Sequence, residues 1–272
     1  MSDPRDTPAN ARAALASLRG RVVAPRYVEG EAARILLPLA DLLSAPAGAR
    51  ERQLLWGESV TVIDRYEGWA FVQAGRDGYC GYLPEPALGP PRAATHSVAV
   101  PATHLLEGPK VQRRDLALLS FGARVTVTGE TGRFAETPEG FLPLGHLRPL
   151  DQPFADPVAV AELFLGTPYL WGGNSRSGID CSGLVQAALL ACAIPCPGDS
   201  DQQQALGQAL APDAPLQRGD LLFWRGHVAL AVDAGRLIHA NGHAMAVAHE
   251  GTEATLARIA AEGLPLLMRR RL

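Results

Sequence analysis

Cys181 lies in the run Gly178-Ile179-Asp180-Cys181-Ser182-Gly183-Leu184-Val185, where a loop gives way to an apolar stretch of helical spacing. Downstream, His227 sits in Gly226-His227-Val228 and His239 in Ile238-His239-Ala240, each inside a strand-like apolar run. A thiol attacks as its thiolate, and a free cysteine titrates only near about pH 8.5. Two features of this pattern lower that value. A helix start offers unpaired N–H groups and the positive end of the macrodipole. A neighbouring histidine can form a thiolate–imidazolium pair. The chemistry to expect is nucleophilic attack by Cys181, with His227 as base and His239 holding that base in its productive tautomer.

This works only if the two histidines meet. Strand alternation puts His227, Ala229 and Ala231 on one face, and Leu237, His239 and Asn241 on one face of the next strand. If Val232 pairs with Arg236 across the turn Asp233-Ala234-Gly235, His227 falls opposite Asn241 and His239 becomes its same-face diagonal neighbour. A tighter two-residue turn puts the histidines on opposite faces. The small Ala229 and Ala231 leave room for a helix to approach.

Around these residues, 154–272 read as helices followed by a sheet, which is α+β segregation. Val158–Leu165 and Leu184–Ala193 have helical spacing. Ser200–Leu210 is a polar helix candidate capped by Ser200 or Asp199. Asp220–Trp224, Val228–Val232 and Arg236–His239 read as consecutive strands. Arg269-Arg270-Arg271 reads as a solvated tail.

Residues 26–150 carry an internal repeat. Leu54-Leu55, Gly57 and Val60-Thr61-Val62 match Leu118-Leu119, Gly122 and Val125-Thr126-Val127, and Gly81-Tyr82-Leu83-Pro84 matches Gly140-Phe141-Leu142-Pro143. Units of about 60 residues built of short alternating strands with glycine turns suggest small closed β-barrels. Gly89-Pro90-Pro91 and Pro149-Leu150-Asp151-Gln152-Pro153 mark breaks. The expected layout is an N-terminal arm (1–25, helix-compatible over Ala9–Leu18), barrels at 26–90 and 91–150, and a catalytic domain at 151–272.

The net charge of −3 favours neither nucleic acid nor an anionic membrane as partner. Nothing in the chain approaches the roughly 20 apolar residues of a membrane span. Met1–Gly30, with Asp3 and Asp6, does not resemble a secretory signal. Cys80, Cys181, Cys192 and Cys196 are too few for a disulfide framework in 272 residues. A cytoplasmic setting is the expectation. The spacings His239/His243 and Cys192/Cys196 lack the second ligand pair of a structural zinc site, so neither metal nor cofactor is expected.

The first repeat, from Gly57-Glu58-Ser59 through Gly68-Trp69 to Gly81-Tyr82-Leu83-Pro84, resembles the bacterial SH3-like modules that accompany cell-wall hydrolases; the second, with Phe134 in place of the tryptophan, resembles them less closely. Gly166-Thr167-Pro168-Tyr169-Leu170-Trp171-Gly172-Gly173, the Asp180-Cys181-Ser182-Gly183 run, Arg218-Gly219-Asp220 and the two histidine motifs together resemble the NlpC-type papain-like cysteine peptidases. The resemblance covers about residues 155–245. It implies a papain-like catalytic domain behind two SH3-like barrels, with Cys181, His227 and His239 as triad. It also implies Tyr169 at the oxyanion site, beside the backbone N–H of Cys181.

By the same resemblance, the substrate is a murein stem peptide with a free N-terminal L-alanine, cut between D-glutamate and the diamino acid, with the first barrel walling off the end of the cleft. Such an enzyme recycles cell-wall peptides. A buried ammonium needs an anionic partner, and Asp180 is placed for that. Ser182, Ser200 and Tyr79 are the other implied substrate contacts; Ser200 reads equally as a helix cap and Tyr79 as a barrel-core aromatic. Gly198 stands where the family commonly has an arginine. The competing readings are a non-catalytic peptide or wall-binding protein, and an amidase or acyltransferase on the same fold. Oligomeric state is not readable from the sequence.

Overall fold

Alternating apolar residues punctuated by glycine turns make residues 31–149 a set of short antiparallel strands. In the computed structural model, which describes residues 3–211 and 213–272, the chain divides into two units, residues 1–152 and 153–272.

In the first unit, one seven-stranded sheet runs in the order Arg50–Leu55, Leu39–Leu43, Cys80–Pro84, Trp69–Ala74, Ser59–Tyr66, Glu31–Ile35, Leu88–Gly89. Its inward residues, among them Val60, Val62, Ala70, Val72 and Ala74, recur at the strand period of two and close a core with Ile35, Leu42, Leu54 and Leu83. Tyr79 belongs to this core. The second copy repeats the strand order with one break. The long strand Ser59–Tyr66 is represented by two pieces, Arg124–Val125 and Gly129–Thr131, so the copy is recorded as a three-stranded and a five-stranded sheet.

The Gly-Pro-Pro break does not separate the two cores. Leu39, Leu55 and Trp56 from the first copy pack with Leu105, Leu119 and Leu142 from the second, and the Arg124 N–H donates to the Trp56 carbonyl at 2.8 Å. Gly57 has φ +73°, and a Cβ there would lie 2.0 Å from the Arg124 carbonyl oxygen, so this junction demands glycine.

The N-terminal arm, helix-compatible over Ala9–Leu18 and readable from the sequence as extended or short-helical, is largely extended. It holds short 3-10 turns at Pro4–Asp6 and Ala16–Leu18 and a strand, Ala14–Leu15, pairing in parallel with Tyr27–Val28. Ala13 packs with Ile63, Phe71 and Cys80 of the first copy. The buried Asp64 carboxylate gathers Arg12 (2.9 Å), Arg26 and Asn10. Burial against the barrel outweighs the weak helix preference of this short segment.

In the second unit, six antiparallel strands run in the order Gln208–Ala209, Met268–Arg271, Leu221–Trp224, His227–Ala231, Arg236–Asn241, Ala246–Gly251. The helix Pro157–Glu162 starts with Pro157 after Asp156, whose carboxylate accepts from the Val158 N–H at 2.9 Å. The helix Cys181–Ala191 packs against this first helix and against the two histidine strands. Leu256 and Ile259 of the last helix, Thr252–Ala261, fill the space over Ala229, Ala231 and Leu237.

Two expectations are corrected here. The helix expected over Ser200–Leu210 ends at Gln203, its cap position is Asp199, and Gln208–Ala209 is instead an edge strand. The arginine tail is a strand: Arg271 holds the buried Asp220 carboxylate through Nε (2.8 Å) and Nη2 (2.7 Å). Arg218-Gly219-Asp220 therefore serves the scaffold, Asp220 also accepting from the Gln217 N–H at 2.8 Å. Among the described residues, no helix is long and apolar enough to cross a membrane.

Candidate active site

The loop Gly166–Gly173 is pinned on both sides. Gly166 and Tyr169 donate their N–H groups to the carbonyls of Val247 and Met245, and the Leu170 N–H donates to Ile179. Asp180 then starts the nucleophile helix. Its Oδ1 accepts from the Gly183 N–H (2.6 Å) and the Ser182 hydroxyl (3.1 Å), and its Oδ2 accepts from the Gly172 N–H (2.9 Å). One carboxylate thus caps the helix and ties it to the loop that carries Tyr169. Gly183 is required by this closeness: a Cβ there would lie 2.6 Å from the Gly173 carbonyl oxygen.

Cys181 is the first residue of the helix and is buried, as is Ser182. Its charged form acts on Tyr169: burial, then the charges of Cys181 and Asp180, push the tyrosine hydroxyl up to about 12. The hydroxyl is therefore protonated and able to donate beside the thiol. As the cap, Asp180 also sets a carboxylate at the positive end of the helix dipole, where Cys181 begins the helix.

The register condition is met. Leu230 pairs with Ile238 and Ala231 with Leu237, and the Val232 N–H donates to the Arg236 carbonyl at 2.9 Å. The histidines share a face, with His227 Nε2 2.8 Å from His239 Nδ1. Trp224 flanks His227, ring centres 5.6 Å apart. Burial, then His239 and Arg258, lower the His227 imidazole to about 3, Glu250 acting in the opposite direction. His239 is lowered by burial against the pull of Glu250. Both rings are neutral at pH 7, so His227 is a proton acceptor.

Sequence reasoning missed what lies behind His239. Its Nε2 meets Glu250 Oε2 at 2.6 Å, and the same oxygen accepts from Arg258 Nη2 at 2.6 Å. Glu250 is the penultimate residue of the strand Ala246–Gly251, whose alternation was hidden by weakly apolar residues such as Ala246 and Ala248. The signal that could have found it is the demand of a buried third histidine for a partner of its own.

Of the implied substrate contacts, Ser182 is engaged with the cap, and Ser200 is buried as the first residue of a short helix, one position after its cap. Tyr79 takes the barrel-core place of its two sequence readings: it is 2% exposed and a member of the first barrel's core.

Comparison with known proteins adds relatives to this geometry. Residues 166–258 match the NlpC/P60 family, and residues 42–88 match the bacterial dipeptidyl-peptidase SH3 domain. The chain is 29% identical over 230 residues to a gamma-D-glutamyl-L-lysine dipeptidyl-peptidase of Bacillus cereus, covering 71% of this chain and 68% of that protein. It is 27% identical over 235 residues to dipeptidyl-peptidase 6 of Lysinibacillus sphaericus, covering 76% and 86%. The crystal structure of an NlpC/P60 family protein from Bacillus cereus superposes with a TM-score of 0.75 at 24% identity, over 89% of this chain and 99% of that one.

Proposed function

We propose that this chain, which carries an NlpC/P60 cysteine peptidase domain behind an SH3 domain of the bacterial dipeptidyl-peptidase type, hydrolyses the γ-D-glutamyl–diamino acid bond of murein stem peptides with a free N-terminal L-alanine. The observation that carries the chemistry is the 2.8 Å contact between His227 and His239, on strands against which the Cys181 helix packs.

Cys181 Sγ gives its proton to His227 and attacks the γ-carbonyl carbon. The Tyr169 hydroxyl and the Cys181 N–H hold the developing oxyanion. The C–N bond breaks, the proton on His227 passes to the leaving amine, and a thioester remains. His227 then takes a proton from water, the hydroxide attacks the thioester, and the thiol and a free γ-carboxylate result.

The two named relatives, both dipeptidyl-peptidases, support the substrate class. Asp180 supports the free amine: it is a buried carboxylate next to Cys181, and a buried ammonium needs an anionic partner. Ser182 and Ser200 are further contacts of this reading. The helix packed on an antiparallel sheet supports a papain-like arrangement, and the repeated strand order supports a second, diverged SH3-like barrel at 91–150. Four cysteines in 272 residues are too few for a disulfide framework, which supports work in a reducing compartment on peptides being recycled.

The test incubates the protein with L-Ala-γ-D-Glu-L-Lys, with the diaminopimelate analogue, and with N-acetylated forms of both. Cleavage of the free peptides alone is expected. Equal cleavage of the acetylated forms removes the role given to Asp180. Transfer to an added amine in preference to water makes the protein an acyltransferase, and cleavage of none of the four removes the substrate assignment.

A further inference from the structure

Glu250 Oε2 receives two groups, Arg258 Nη2 at 2.6 Å and His239 Nε2 at 2.6 Å, while the Thr255 hydroxyl, 3.4 Å away, gives its one proton to the Gly251 carbonyl at 2.9 Å. A carboxylate only accepts hydrogen bonds. A bare His239 Nε2 at that distance would aim one lone pair at another, so Nε2 carries the hydrogen. A neutral imidazole has one N–H, so His239 Nδ1 is bare. The 2.8 Å contact then requires His227 Nε2 to donate to it. His227 is neutral as well, which leaves its lone pair on Nδ1.

We propose that Glu250, clamped by Arg258, is a positioning residue that fixes the proton order of the whole line, so that His227 presents a bare Nδ1 as the base. This deepens the reading above, since Nδ1 is then the atom that takes the Cys181 proton. Glu250 orients rather than supplying charge. Arg258 balances its carboxylate, and the groups facing His239 are His227, Glu250 and Arg258, with Glu262 reaching Arg258 at 3.7 Å. A neutral Glu–Arg pair leaves an imidazolium at His239 or His227 without net support. The pair therefore selects a tautomer and does not store a proton.

The test needs no substrate. Nitrogen-15 NMR of the full-length Cys181→Ala protein at pH 7.5 reads which ring nitrogens carry hydrogen. The expected spectrum has N–H at Nε2 and a bare Nδ1 on both His239 and His227. N–H at Nδ1 of His239 overturns the proposal, whatever the protein cleaves. Adding Glu250→Gln, whose amide can donate or accept, should mix the tautomers, and in the active protein the same change should lower kcat roughly ten- to a hundredfold at constant KM. That loss is smaller than the roughly 10⁴-fold that a wrong tautomer costs in serine proteases. Unmixed tautomers in Glu250→Gln also overturn it. Arg258→Ala bares the Glu250 charge and should raise the His239 titration midpoint by about one pH unit; an unmoved midpoint shows that the pair is not balanced as described. Should either variant fail to fold, the Cys181→Ala spectrum alone decides.

Discussion

His227 and His239 meet across neighbouring antiparallel strands, Nε2 to Nδ1 at 2.8 Å, although 12 residues of chain separate them. The turn Asp233-Ala234-Gly235 brings this about. It closes on a Val232–Arg236 pair, tied further by the Asp233 carboxylate to the Gly235 N–H at 2.9 Å and to Arg236 Nη2 at 2.9 Å. Had the turn been one residue shorter, every side chain on one strand would have changed face.

Burial of both imidazoles in neutral form ties stability to pH. Their values lie below the ordinary histidine value, so the unfolded chain binds protons that the folded chain refuses as pH falls below about 6.5. Stability should fall as pH drops from about 6.5 toward 3, by about 1.4 kcal/mol per pH unit for each histidine fully out of step. Urea unfolding of wild type and His227→Leu across this range checks the sign. The variant should show the shallower dependence, and identical slopes would sink the account.

Asp180 holds the loop and sets a carboxylate at the start of the Cys181 helix at once. Asp180→Asn keeps the cap but turns an amide NH2 toward the Gly172 N–H, so the fold should lose about 1–3 kcal/mol. Removal of the neighbouring carboxylate should move the Cys181 thiol to lower pH, read from the pH dependence of iodoacetamide labelling. In the same variant KM for a free-amine peptide should rise. A thiol midpoint that stays or rises would show that Asp180 does not face the sulfur.

Tyr169 is held protonated, its hydroxyl pushed up to about 12. Tyr169→Phe should therefore remove a donor and nothing else. A fall in kcat of about 10²-fold with KM nearly unchanged is expected for one lost oxyanion donor. A change confined to KM would place Tyr169 at the substrate rather than at the transition state.

Asp64 ties the N-terminal arm to the first barrel through Arg12, Arg26 and Asn10. Asp64→Ala leaves two guanidinium groups without their carboxylate, and the arm should open. Trypsin should then cut at Arg12 or Arg26 at least tenfold faster than in wild type, while cuts elsewhere stay slow. Uniform acceleration across the chain would mean that Asp64 supports the whole barrel rather than the arm.

Much of this was legible in the chain. Period-two alternation gave the strands of both repeats and the faces of the two histidines, because a strand's side-chain direction depends on local geometry alone. The Asp-Cys-Ser-Gly run placed the thiol at a helix start by the same local rule. Where local signals were weak, the chain left the choice open or misled: the arm could be extended or helical and is extended, and the arginine tail is a strand. Their conformations are chosen by Asp64 and Asp220, which lie 38 to 52 and 51 residues away from their arginine partners.

The residues of the nucleophile and its base, and the register under which they could cooperate, were fixed by sequence, since each depends on residue identity and strand period. Only the tertiary structure decided that the turn takes that register, that the Asp180 carboxylate caps its helix with one oxygen and holds a loop with the other, and that Glu250 and Arg258 stand behind His239. These are contacts between separate elements. Their partners are selected by packing and by the need of every buried polar group for a mate, and no local pattern records that choice.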